Sequence, residues 1–114
     1  MATCDKLRRL NALVTPGGVQ KFDPFTEDFC LTDLVLDLWS FPDGLDSKAS
    51  CGIWLVVPAS SEILFNLFVD RHGQRIHLNS GILCPKGSYL TANAGVFTSG
   101  GTGDLRVLLT GHVC

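Results

Sequence analysis

The stretch from 51 to 69 reads CGIWLVV (51–57), PASS (58–61) and EILFNLFV (62–69). Two apolar runs of strand length, rich in β-branched and aromatic residues, flank four turn-forming residues, the pattern of two strands joined by a tight connection. Period-2 phasing places Ile63, Phe65, Leu67 and Val69 on one face of the second run and Leu64, Asn66 and Phe68 on the other. In the first run Ile53, Leu55 and Val57 alternate with Trp54 and Val56. Both faces are therefore rich in apolar side chains, whereas an antiparallel sandwich with one wet side needs only one apolar face.

The same reading extends outward. Residues 28–40 form a long strand with Cys30, Leu34, Leu36 and Leu38 on one side and Phe29, Leu31, Val35 and Trp39 on the other, stopped by Phe41, Pro42, Asp43 and Gly44. Residues 70–74 read as a hairpin connection in which Gly73 takes a positive φ. Further strands are expected at 75–79, 81–84, 89–93 and 105–113, with a short one at 18–22 and a Gly-rich loop at 94–104. Short strands, frequent turn signals and no interleaved helices predict an all-β antiparallel β-sandwich of the jelly-roll type over 17–114. Residues 1–16 stand apart as an N-terminal arm or helical turn, because Leu7, Leu10 and Leu13 recur at i, i+3 spacing among Lys6, Arg8 and Arg9.

A chain of 114 residues holds one hydrophobic core. With 46% apolar and 18% charged residues it lacks the composition of a disordered chain. The net charge of −2 hides a segregation. Asp23, Glu27, Asp28, Asp33, Asp37, Asp43 and Asp46 lie in one stretch without Lys or Arg, near −7, while the remainder holds nine basic and four acidic groups, near +5. An acidic face meeting a basic face on a neighbouring copy is one reading, and a solvated acidic edge is the other. No basic block interleaved with aromatics is present, so nucleic acid is not expected as a partner. No secretory signal or membrane span is visible, and the chain is expected to be soluble and made in a cytoplasm. Cys4, Cys30, Cys51, Cys84 and Cys114 are odd in number and form no CxxC pair, so they read as small buried hydrophobes.

Catalytic signatures were sought and none emerged. The run at 99–103, SGGTG, has the composition of a phosphate loop but leads into a strand instead of a helix. His72, His77 and His112 lie on different elements, and His77 is followed by Leu78 and Asn79 where a metal-binding cupin has a second His and a Glu. No Gly-x-Ser-x-Gly elbow occurs. Asp33 and Asp37 share a strand face around Val35 and read as outer-face residues, not a proton-transfer pair. No catalytic residue, metal ligand or cofactor is expected, and the chain reads as a binding protein.

Residues 88–95 (SYLTANAG), the Gly-rich loop and 105–113 (LRVLLTGHV) resemble small jelly-roll domains of tailed bacteriophage virions, in which a late strand, a Gly/Ser/Thr connection and a final strand recur. The pattern spans 19–114. The resemblance implies a non-enzymatic virion structural protein, of head decoration or cement type, commonly a homotrimer seated on the major capsid protein or another virion protein. Surplus apolar faces support association, since large exposed apolar patches mark contact surfaces. The expected interface residues are Leu7, Leu10, Leu13, Trp54, Phe68 and Leu108. A receptor- or carbohydrate-binding tail or fibre module is the alternative, favoured if Trp39, Trp54 or Tyr89 lies on a shallow exposed surface. A small metal- or Cys-dependent enzyme is a third, and it requires a clustered His/Cys pocket.

Overall fold

A computed structural model describes residues 6–15, 17–39, 49–70, 72–95 and 104–113. The expected stop at 41–44, the acidic Asp43 and Asp46, the 99–103 run, Cys4 and Cys114 lie outside the described residues. Eight strands form: β1 (Lys6–Val14), β2 (Val19–Lys21), β3 (Phe29–Trp39), β4 (Ala49–Val57), β5 (Ser60–Val69), β6 (Gln74–Cys84), β7 (Tyr89–Ala94) and β8 (Asp104–Val113). They build two four-stranded antiparallel sheets, ordered β1-β8-β3-β6 and β2-β7-β4-β5. Most connections cross from one sheet to the other, and the result is the eight-stranded jelly-roll sandwich.

The N-terminal piece differs from expectation. Residues 6–14 are neither an arm nor a helical turn, but pair with β8 from Lys6↔Val113 to Val14↔Leu105. The i, i+3 leucines mislead because a strand sorts them by parity: Leu10, only 8% exposed, points into the core with Val14, while Leu7 and Leu13 face out. The candidate domain thus begins at β1, not at residue 17.

Two further differences have one cause, the insertion of an extra residue in a ladder. In β3 the pairing to β8 shifts between Leu31 and Asp33, leaving Thr32 as a bulge. Phe29 and Leu31 are buried before it and Leu34 and Leu36 after it, so the inward face changes parity mid-strand. In β5 a shift opposite Ile53/Trp54 puts Ile63 on the same outer side as Asn66 and Phe68. The segments at 75–79 and 81–84 join into the single β6, across an irregularity where Gly81 has φ +68 and lies against the Cys30 Sγ.

Between the sheets lie Phe25, Phe29, Leu31, Leu34, Leu36, Ile53 and their neighbours, all essentially removed from water. Phe25 and Phe29 stack at 4.7 Å. Gly111 of β8 leaves room for them, because a Cβ there would meet the Cys30 carbonyl and the Phe29 ring. The turn before β6 is set by Asp70, whose carboxylate accepts from the His72 N–H while Gly73, at φ 77, donates to the Asp70 carbonyl.

Because β1 is a strand of the sandwich, deleting residues 1–14 removes Leu10 and Val14 from the core and unpairs β8. Each lost core side chain is worth about 2–5 kcal/mol, of the order of a small domain's whole stability. The truncated chain is expected to lose its cooperative thermal transition by circular dichroism; an unchanged melting temperature would mean that β1 is dispensable.

Candidate functional site

The two outward faces of the sandwich differ in chemistry. On the β2-β7-β4-β5 sheet the outward positions fall in cross-strand rows. Val19, Asn93, Gly52 and Asn66 form one, and Thr91, Trp54 and Ile63 the next. Phe68 stands opposite Ser50, and Tyr89 opposite Val56. Phe68 is 70% exposed, Val19 65% and Ile63 44%. The Trp54 indole folds back over Gly52, its Nε1 3.1 Å from where a Cβ would stand, so the missing side chain makes room for the ring. Among the described outward residues the one charged group is Lys21, and its ammonium lies 4.4 Å from the Tyr89 ring centroid. Asn93 Oδ1 on this face is buried without a hydrogen-bond partner among the described residues.

The β1-β8-β3-β6 sheet carries the charges outward. Its rows run Leu7–His112–Cys30–Leu83, Arg9–Thr110–Asp33–His77, Asn11–Leu108–Val35–Arg75, and Leu13–Arg106–Asp37. Antiparallel pairing therefore places β3, from the acidic stretch, between strands that supply basic groups. Asp37 holds Arg106 through two hydrogen bonds, Nε at 2.9 Å and Nη2 at 2.5 Å, raising the guanidinium pKa further. Asp33 receives the Thr32 hydroxyl at 2.8 Å and lies 2.8 Å from His77 Nδ1. The His77 hydrogen bond, then that of Thr32, hold the Asp33 carboxyl below the usual carboxylate range against a small opposing effect of burial. The two aspartates expected on one outer face are there, engaged with neighbouring strands. A shallow depression of about 360 Å³ lies over this row, lined by Arg9, Asp33, Val35, Arg75, His77 and Thr110.

Of the six expected interface residues, Trp54 and Phe68 share one face. Leu7, Leu13 and Leu108 lie on the opposite sheet, Leu108 half-buried between Asn11 and Val35, and Leu10 is a core residue. The surplus apolar faces around Trp54, Phe68 and Leu108 thus lie on both sides of the sandwich. Ile63 and Val19, which complete the Trp54–Phe68 face, were missed: the bulge in β5 hides Ile63, and β2 is too short to show a period. The side chain of Trp39 lies outside the described residues, and Tyr89 is half-buried beneath Lys21.

The histidines remain apart: His72 in the β5–β6 turn, His77 against Asp33, and His112 beside Cys30 in the β8–β3 register. Among the described residues no group of three His, Cys, Asp or Glu side chains could hold a metal ion. Cys51 and Cys84 are buried, and burial pushes their thiols up to about 11 and about 12, respectively; Cys30 is half-exposed.

No family model and no curated protein matches the sequence. Among solved structures the chain is similar to the nucleoplasmin-like N-terminal domain of Drosophila FKBP39, with a TM-score of 0.57 and 15% identity, over 99% of this chain and 92% of that one. The likeness places this chain among β-sandwich domains of nucleoplasmin-like shape and speaks to the fold alone.

Two measurements check this chemistry. The Asp33 carboxylate favours the folded state above the ordinary carboxylate range, a contribution lost as pH falls through its lowered pKa. Carboxyl-carbon NMR titration is expected to show Asp33 titrating low in the native chain and shifted upward in His77→Gln, with the Thr32 bond retained; identical curves would dismiss the contact. Thiolates are the species that alkylate. Iodoacetamide at pH 8 should label Cys30 well before Cys51 and Cys84, by peptide mass mapping, and equal rates would contradict the burial of the latter two.

Proposed function

We propose that this chain is a non-enzymatic assembly module whose copies join through the outer face of the β2-β7-β4-β5 sheet. The observation that carries the reading is the Val19–Trp54–Ile63–Phe68 face, apolar and almost free of charge, on a molecule whose opposite sheet carries Arg9, Asp33, Asp37, Arg75 and Arg106 outward between exposed leucines. Copies can bury such a face against each other with one ammonium per copy, Lys21 on the edge strand β2, as the charge to accommodate. Burial of apolar area yields roughly 25 cal/mol per Å², so a face of this kind supplies the main free energy of association. A homotrimer is the proposed stoichiometry. A virion is the proposed setting: the resemblance of 88–95 and 105–113 to phage head proteins supports a decoration or cement role on the major capsid protein. Assembly in the host cytoplasm accompanies that proposal.

A second reading has its own observation. The indole over Gly52, flanked in register by Asn66 and Asn93, is a flat aromatic with amides beside it, the arrangement on which a sugar ring stacks.

Phe68 is so exposed that replacing it leaves the core intact. Light scattering at micromolar concentration is expected to give an oligomer for the native chain and a folded monomer for Phe68→Glu. Tryptophan emission should shift to longer wavelength in the variant as Trp54 regains water. A native monomer would sink the self-association reading, and Trp54 chemical-shift changes on adding an oligosaccharide to that monomer would establish the glycan reading in its place.

A further inference from the structure

The charged sheet face holds an imbalance that hydrogen bonding inside the chain does not remove. Both oxygens of Asp33 are taken, by His77 and Thr32, and both oxygens of Asp37 by Arg106. The side chains of Arg9 and Arg75, at opposite edges of the same depression, make no hydrogen bond or ion pair with any described residue. The depression therefore presents two free guanidinium groups and the Thr110 hydroxyl position over a floor that includes Val35. Guanidinium forks match carboxylates in geometry, which makes such a site an acceptor for isolated carboxylates. A nucleic-acid backbone fits poorly, because its closely spaced phosphates would meet Asp33 and Asp37, and two arginines neutralise too few of them.

The complementary groups are on the same chain, elsewhere on its surface. In the connection from β2 to β3, Asp23 and Glu27 are exposed and unpaired among the described residues, whereas Asp28 accepts from the Lys86 N–H. The corner itself is held firmly: Phe25 is buried, donates its N–H to the Ser88 carbonyl, and accepts from the Gly87 N–H. Nearby cations are drawn to rings, Arg8 over Phe25 at 5.7 Å and Lys21 over Tyr89. Two carboxylates thus project from a well-anchored corner with no partner among the described residues.

We propose that the Arg9–Arg75 depression of one copy receives the Asp23–Glu27 corner of another. The contact rests on the reading of the chain as an assembly module but uses the opposite sheet from the apolar face. It is heterologous, since a different surface is used on each partner, so it links units head to tail instead of closing a pair. Exposed ion pairs contribute little each and are screened by salt, so this link is weak and salt-dependent.

The test is made in the Phe68→Glu background, so that the apolar contact is absent and the ionic one is read alone. Sedimentation velocity should show concentration-dependent association at about 10 mM salt, where the screening length is about 30 Å, and its loss near 1 M, where it is about 3 Å. Charge reversal at the depression, Arg9→Glu with Arg75→Glu, is expected to abolish association. Reversal at the corner, Asp23→Lys with Glu27→Lys, should do the same. Mixing these two reversed chains should restore it, because the acidic depression of one now faces the basic corner of the other. Association that survives either reversal, or that fails to return on mixing, overturns the pairing, as does its absence at low salt. Because the Phe68→Glu comparison with the native chain is made separately, failure here leaves the apolar-face reading standing on its own result.

Discussion

The β3–β8 ladder is the constraint on which the remaining structure depends. It runs from Phe29↔Val113 to Trp39↔Asp104, joins the first half of the chain to its end, and seats β1 on one side and β6 on the other. The ladder works only because Thr32 is looped out. Strand side chains alternate with a period of two, so a regular β3 with Phe29 and Leu31 inward would turn Leu34 and Leu36 to solvent. Burying a side chain of this size is worth about 1.5–3 kcal/mol, so facing two of them outward costs more than the backbone bonds interrupted by a bulge. The parity change is therefore the cheaper solution, and it lets all four residues fill the space between the sheets.

The same pairing explains how part of the charge segregation of the sequence is offset across strands. Asp33 and Asp37 come from the acidic stretch, but β8 brings Arg106 to Asp37, and β6 brings His77 to Asp33. Polar groups distant along the chain become cross-strand neighbours, and such pairs stabilise a sheet. Among the described residues what is left over is small and specific: two guanidinium groups without partners on one face, and two carboxylates without partners at a corner. That remainder, more than the net charge of −2, determines what the polar surface can bind.

The strands were legible because turn residues bound them and because alternation survives locally. The joint at Asp70–Gln74 and the short β2 were likewise visible from glycine and chain length. What was not legible has a common physical origin. Leu7, Leu10 and Leu13 fit a helical stripe, and only pairing with β8 reveals that Leu10 belongs with Val14. A bulge leaves no composition of its own, although the polar Thr32-Asp33 pair interrupting an apolar strand was a usable sign of one. Sorting exposed apolar residues between two outer faces requires knowing which sheet each strand joins. In this jelly roll most successive strands lie in different sheets, so sequence proximity gives little guidance: Leu108 and Trp54 were grouped by apolar character but lie on opposite sides of the molecule.

A sandwich with a nearly uncharged outer face on one sheet and charged groups among the outward side chains of the other suits assembly in stages through the two proposed contacts. The apolar contact scales with buried area and is insensitive to salt, whereas each exposed ion pair is worth at most about 1 kcal/mol. A single chain therefore gains only a weak hold on a neighbour from the Arg9–Arg75 depression, strongest at low salt and screened away as salt rises. Once the apolar faces have joined several copies, each unit presents several depressions and several Asp23–Glu27 corners, and the second and later contacts form at high effective concentration. Weak links then become collectively strong without any new contact, and the order of assembly follows from the difference in strength between the two faces.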